Sequence, residues 1–309
     1  MLFPFRICEA KRLSIMLLKL VCIVLNKFTR KVIIACILLV IGLSICGMLY
    51  VSTSKKQLTY AGDRYLPIIM YHSLLKESQY HGRYIISPNK LEEDLIYIRD
   101  NGYTTITIKD LLDYVYNGRL LPAKPIMLTF DDGNYNNYYY AFPLLRQYNC
   151  KAVISPIISI TEEFSQSSDI LLTYGYCSFT QLKEMSDSGL FEVQNHSYSM
   201  HAHSGRVGVG KKQGEPDDLY KTVISEDINK AQLLIEQNIG TSPTCFTYPF
   251  GHYSKETPSI IKELNFKASL GCYEKLNCIT RDPDCLYELG RFLRNNTESS
   301  EHLFKRMEK

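Results

Sequence analysis

From Leu66 to Arg294 the chain switches repeatedly between short β-branched or apolar runs and longer stretches with helical periodicity, and this alternation restricts the possible folds more than any other feature. Eight runs read as strands: Pro67 to Ser73, Thr104 to Ile108, Pro125 to Phe130, Lys151 to Ile158, Phe191 to Asn195, Cys245 to Phe250, Lys267 to Leu270 and Leu289 to Leu293. Helix-like segments lie between them at Pro88 to Asp100, Ile108 to Tyr116, Tyr135 to Gln147, Phe179 to Ser188, Asp218 to Gln237 and Ser254 to Leu264. Ser87-Pro88 is a helix start, while Asn101-Gly102 and Asn117-Gly118 are helix stops. Repeated βα units imply parallel strands with helices outside. About 230 residues in one such run predict an α/β fold closed into a distorted (β/α) barrel, with reactive groups at the C-terminal ends of the strands.

A different segment precedes this domain. Residues 32–51 carry no charge over a length that matches a bilayer core, which reads as one transmembrane signal anchor. Seven basic residues, Arg6 to Lys31, and a single acid, Glu9, precede it, so residues 1–31 form a basic cytoplasmic segment and the C-terminal part is expected outside the cell. The alternative is secretion after signal cleavage, but a signal peptide has a shorter apolar core of roughly 7 to 15 residues. Residues 52–65 then form a linker, 66–295 the catalytic domain and 296–309 a C-terminal tail. Nine of the 35 basic residues and one of the 32 acidic ones lie before residue 60, which leaves the remainder net acidic. That balance speaks against nucleic acid as a partner. Six cysteines fall beyond the anchor, and none forms a CxxC pair. A thiolate zinc site is therefore not expected, and Cys272, Cys278 and Cys285 are either a disulfide cluster or free thiols.

Two constellations carry chemistry. Ile126 to Gly133 (IMLTFDDG) is an apolar run that stops at Asp131 and Asp132. Side chains alternate across a strand, so consecutive acids address one small site only where the chain leaves strand geometry, which Gly133 permits. Just past a later strand, His196-Ser197-Tyr198-Ser199-Met200-His201 holds two of the seven histidines. One carboxylate and two imidazoles suit a borderline divalent ion such as zinc and leave positions open for water. A spacing of five does not place both histidines on one helix face, so they belong to a strand-to-loop segment.

TFDDG followed by a two-histidine motif resembles the polysaccharide deacetylases of carbohydrate esterase family 4, the NodB homology domain, over roughly Leu66 to Arg294. The resemblance implies a distorted (β/α) barrel, with Asp131 as general base and Asp132, His196 and His201 as metal ligands. Most members space these histidines by four; the spacing of five is closer to the poly-N-acetylglucosamine deacetylase branch, and His203 is a fallback ligand. The family's Arg-x-Pro-Tyr motif matches Thr247-Tyr248-Pro249-Phe250 without its arginine, so orientation of the base falls to another group or is lost. Tyr248 and Phe250 inherit the oxyanion and substrate positions, the Phe250 N–H as oxyanion donor. No histidine of the late Leu-x-x-His motif is present. His72, after the first strand, is the candidate general acid, or else a histidine that holds the barrel mouth. Arg206 and His252, in loops on the expected active face, are structural or substrate-contacting.

The expected activity is metal-assisted hydrolysis of N-acetyl groups on a cell-envelope or extracellular polysaccharide, with zinc, or cobalt, nickel or iron, as cofactor. The alternatives are an O-acetyl carbohydrate esterase using the same groups, or an inactive membrane-anchored glycan-binding relic. The chain contains no tryptophan, so sugar stacking falls to its tyrosines. Tyr135 and Tyr138 to Tyr140 lie nearest the acids in sequence, unless they pack a helix.

Overall fold

The computed structural model describes residues 64–167 and 171–308, together with 59–60, 16–17 and 19. Two compact units separate, residues 1–57 and 58–309, and the first lies almost wholly outside the described residues. The anchor expected at 32–51 lies outside them too. Among the described residues no helix is long and apolar enough to cross a membrane.

Eight parallel strands correspond to the eight apolar runs: β1 (Ile68–Tyr71), β2 (Thr104–Thr105), β3 (Pro125–Asp132), β4 (Ala152–Pro156), β5 (Phe191–Val193), β6 (Cys245–Thr247), β7 (Ala268–Leu270) and β8 (Phe292–Leu293). Parallel ladders join β8 to β1, β1 to β3, β3 to β4 and β4 to β5, and β2 pairs with the first two residues of β3. A separate ladder joins β6 to β7. Single parallel bridges, Asn195 to Phe246 and Leu270 to Leu289, connect that pair to the rest and complete a ring. Two seams held by one bridge each make the barrel distorted.

Period-two alternation divides β3 between two environments. Ile126, Leu128 and Phe130 pack into the layer beneath the helices, while Met127 joins Ile68, Val153, Cys245 and Leu270 in the barrel interior. Continuing along that inner face, Met127 gives way to Thr129 and then Asp131, so the interior turns polar towards the C-terminal end of the strand. Both layers exclude water, and the run is therefore apolar on both faces, as a central parallel strand should be.

The helices are α1 (Pro88–Asp100), α2 (Ile108–Asn117), α3 (Phe142–Tyr148), α4 (Ile158–Gln166), α5 (Phe179–Asp187), α6 (Asp217–Ile239), α7 (Thr257–Glu263) and α8 (Ser300–Met307). The Ser87 hydroxyl accepts from the Lys90 N–H at the start of α1, and Gly118 ends α2 at φ 72°. Two expectations need refinement. The strand from Lys151 stops at Pro156, because the chain turns there into α4. The helix expected over Tyr135 to Gln147 is present from Tyr135 to Tyr148, with a π-helical stretch, Asn137–Ala141, leading into α3. The segment expected as a C-terminal tail carries α8, which buries Leu303, Phe304 and Met307, and Phe304 stacks on Tyr97 with centroids 4.1 Å apart. Arg294 fixes the approach to α8 through two hydrogen bonds to the buried Asp94 carboxylate, at 2.7 and 3.0 Å.

Candidate active site

The end of β3 sets the site. Asp131 is the last inward residue of the strand and is buried. In continued strand geometry Asp132 would face the opposite side, but its φ of 69° swings its carboxylate back towards the interior. A non-glycine residue in this left-handed region is strained by roughly 1–2 kcal/mol. Gly133 follows at φ 78°, and a Cβ there would stand 2.7 Å from the Pro156 Cβ. Only glycine fits between β3 and β4 at that turn, which is why the two acids are followed by one.

Arg291, just before β8, completes the acid's surroundings. Its guanidinium is fully buried and donates to both Asp131 oxygens at 2.7 Å, in the fork geometry that suits a carboxylate. The Gly271 carbonyl at 2.7 Å and the Thr129 hydroxyl at 3.2 Å hold the guanidinium in place. Burial alone would raise the Asp131 pKa, but the Arg291 charge and hydrogen bonds reverse this and hold the carboxyl below its usual range. Arg291 is not among the site residues expected from the sequence. Its one signal in the sequence is an arginine inside the apolar strand run Leu289 to Leu293, where an unpaired charge would be costly. Its partner lies 160 positions away.

The histidines arrive from the segment after β5. Asn195 Oδ1 accepts from the Ser197 N–H, and Ser197 adopts φ 72°, which turns the chain out of the strand. Asp227 on α6 accepts from the N–H groups of Tyr198 and Ser199 at 2.8 and 2.9 Å and fixes the loop that carries His201 inward. His196 is buried, with Nδ1 2.8 Å from the Thr247 carbonyl. That carbonyl can only accept, so Nδ1 carries the proton and Nε2 presents a lone pair to the interior. Nε2 of His196 and Nε2 of His201 stand 3.5 and 3.3 Å from Asp132 Oδ1. The ligand atoms of Asp132, His196 and His201 all lie within 4.8 Å of one another.

A cavity of about 600 Å³ opens over this cluster, lined by Asp131, Asp132, His196, His201, His72 and Phe250 among others. His72 follows β1, its ring edge-on to Tyr84, and its Nδ1 is buried without a hydrogen-bond partner among the described residues. Burial lowers the His72 pKa, and the negative Asp131 and Asp132 oppose that shift without reversing it. Phe250 sits at φ 58° inside a short 3-10 turn, Pro249–Gly251, and as the second residue of that turn its N–H has no acceptor within it. Its ring lies tilted against His201 and His203, with centroids 4.1 and 4.6 Å away. His203 lines the same cavity but is not part of the three-residue cluster.

Other expected site residues stand elsewhere. Tyr248 is fully buried, stacked on Tyr253 and edge-on to Phe246, and does not line the cavity. It follows β6 on the side that packs beneath α6 and α7, so it supports the turn carrying Phe250 instead of meeting a ligand. Arg206 also turns away from the cavity: it pairs with Glu215 and donates to the Gly210 carbonyl at 2.8 Å, and this folds its loop on itself. The ring of His252 fills the space beside Gly210. Tyr135 meets both Tyr138 and Tyr139, and Tyr138 meets Phe142, as helix packing would have it, while Tyr139 stays exposed. The six described cysteines, Cys150 to Cys285, are free thiols.

Residues 119–269 match the family model described as polysaccharide deacetylase. The poly-beta-1,6-N-acetyl-D-glucosamine N-deacetylase of Staphylococcus aureus is 25% identical over 224 residues, covering 72% of this chain and 72% of that protein. Among solved structures, IcaB from Ammonifex degensii is similar with a TM-score of 0.62 and 26% identity, over 82% of this chain and 100% of that one. The Streptococcus pyogenes deacetylase PplD, solved in complex with acetate, shares the fold with a TM-score of 0.66 at 23% identity, over 80% and 99% of the two chains.

Proposed function

We infer that the polysaccharide deacetylase domain matched at residues 119–269 works as a metal-dependent hydrolase that removes N-acetyl groups from a sugar polymer of the cell envelope or its surroundings. The observation that carries this reading is the convergence of Asp132, His196 and His201 on one point, with Asp131 held beside them by Arg291. Both the Staphylococcus aureus relative and the family description support the chemistry.

The three residues fit a divalent cation. Asp132 Oδ1 is buried and has no hydrogen-bond partner among the described residues, although two imidazole nitrogens stand within 3.5 Å. Acceptors that converge with no proton between them are stabilised by a cation. Zinc suits two nitrogens and one oxygen, and cobalt, nickel and iron suit them as well. When bound, such an ion supplies acidification of a water and polarisation of the acetyl carbonyl.

The protein's own groups do the rest. Asp131, charged and held by Arg291, accepts the proton of the attacking water. The Phe250 N–H donates to the oxygen that becomes negative as the carbonyl is attacked. His72, with Nδ1 unpaired inside the cavity, donates a proton to the departing amine nitrogen. That role needs the imidazolium, which the two nearby carboxylates favour and burial opposes. The missing motif arginine and the missing late histidine favour an inactive relic; Arg291 answers the first by holding the base from a different strand, and His72 is proposed in place of the second. The same groups would also release an O-acetyl ester, since only the leaving atom differs. An outward-facing anchor at residues 32–51 is part of the proposal and rests on the charge distribution around that segment.

Acetate release from N-acetylated and O-acetylated oligosaccharides, with added divalent ion, tests the reading. Wild type is expected to release acetate from the N-acetylated substrate, and Asp131→Asn to lose about a hundredfold to ten-thousandfold in rate. Equal rates for the two proteins would remove Asp131 from the chemistry, and release from O-acetylated substrate alone would make the protein an esterase.

A further inference from the structure

Tyr84 lines the cavity, and two further rings, Tyr80 on the same arch and Tyr174, meet outside the cavity lining; the deacetylase reading uses none of the three. Tyr84 lines the cavity and stays 48% exposed although it is braced on two sides, by the edge-on His72 ring and by the Arg83 guanidinium 5.3 Å from its centroid. The arch carrying it, from Leu75 to Tyr84, is pinned at its base, where the Ser73 N–H donates to the Tyr84 carbonyl and the Leu75 N–H to the Ile86 carbonyl, both at 3.0 Å. Farther out, Tyr174 is 71% exposed and meets Tyr80 of the same arch edge-on at 6.5 Å.

The Tyr174 turn is rigid. The Gly175 N–H donates to the Leu171 carbonyl at 2.7 Å, and a Cβ on Gly175 would stand 2.3 Å from that oxygen. The Tyr135 N–H donates to the Gly175 carbonyl, and Asn134 bridges Tyr176. Asn134 also lines the cavity, so the turn is tied to the cavity wall immediately after the catalytic acids. A large ring displayed on a fixed turn beside a reaction site loses little conformational freedom when it takes a ligand.

We propose that Tyr84 and Tyr174 are stacking sites for successive rings of a neutral N-acetylated glycan, Tyr84 at the cavity and Tyr174 for a unit farther along the same strand. This rests on the deacetylase reading and extends it to a polymer held over several units. Equatorially substituted hexosamine rings present axial C–H faces that pack flat on an aromatic ring, and a chain without tryptophan must use tyrosine or phenylalanine for this. The occupant is a glycan because Tyr84 lines the cavity in which the sugar reacts and the Tyr174 turn is tied to Asn134 on the wall of the same cavity.

The experiment compares the hexamer and dimer of β-linked N-acetylglucosamine as substrates of the full chain with divalent ion. Tyr174→Ala is expected to raise KM for the hexamer roughly three- to tenfold with kcat unchanged, and to leave the dimer within about twofold of wild type. Tyr174→Phe should behave as wild type, since the ring remains. Tyr84→Ala should raise KM for both substrates. Tyr139→Ala, a comparably exposed tyrosine away from the cavity, should change neither. An unchanged ratio of hexamer to dimer KM in Tyr174→Ala would overturn the proposal while leaving the deacetylase reading intact. If wild type released no acetate from either substrate, the deacetylase reading would fail. Calorimetric binding of the hexamer to wild type and Tyr174→Ala then decides the stacking site by itself: weaker binding in the variant supports it, and equal or absent binding overturns it.

Discussion

Replacing Arg291 with glutamine removes a buried cation that holds both oxygens of Asp131 at 2.7 Å. The glutamine amide can restore at most one of the two hydrogen bonds and none of the charge. Breaking a buried pair by deleting one partner costs about 3–5 kcal/mol when the remaining group stays charged. Asp131 can escape part of that cost by taking up a proton, because burial is the largest influence on it and favours the neutral acid. In wild type the folded-state pKa of Asp131 lies below its unfolded value, so its contribution to stability is present above the unfolded pKa and is lost as pH falls through the folded one. Without Arg291 the folded pKa rises above the unfolded value and the sign inverts: the variant gains stability as pH falls through that raised pKa. Catalysis needs the charged base, so the acid limb of kcat/KM moves to higher pH, and each unit by which the pKa exceeds the assay pH removes about tenfold of the active fraction. Acetate release measured across roughly pH 5 to 9 would show this, with Arg291→Lys intermediate because it keeps charge without the fork. A wild-type pH profile in Arg291→Gln, with kcat/KM within about threefold, would refute the reasoning.

Other changes have equally definite outcomes. Gly133→Ala sets a Cβ 2.7 Å from Pro156 at a φ of 78°, and should cost about 2 kcal/mol or more in chemical denaturation and displace Asp132. Phe304→Ala empties a buried site against Tyr97 and should cost about 3–5 kcal/mol, read as a lowered thermal midpoint, which a loose C-terminal tail would not show. His72→Gln should lower kcat between about a hundredfold and ten-thousandfold while the bound divalent ion stays at wild-type stoichiometry; loss of the ion would instead make His72 a ligand.

Much of this arrangement is legible in the sequence because its causes are local. The strands announce themselves as β-branched runs, and the Asp-Asp-Gly turn follows from the need to leave strand geometry before two adjacent acids can share a site. Asp131, Asp132, His196 and His72 are readable because they stand at or just past strand ends, and His201 because it follows His196 in the same short motif. Arg291 is not, because the bond that explains it crosses the barrel and only the closed ring brings β3 and the start of β8 together. Tyr248 and Arg206 mislead for a related reason: their place in the chain is near the site, but side-chain direction sends one into the core beside Phe246 and the other to Glu215. The packing of α8 depends likewise on Arg294 meeting Asp94 on α1, 200 positions earlier.

The claim on which all of this depends is that one cation is held jointly by the ends of β3 and β5. X-ray absorption spectroscopy on the zinc-loaded full chain measures that directly. One ion per chain, with a nitrogen and oxygen shell containing the scattering of two imidazoles, and its loss in Asp132→Ala and His196→Ala, is the predicted result. A bound ion whose spectrum lacks imidazole scattering, or is unchanged by those substitutions, would contradict it.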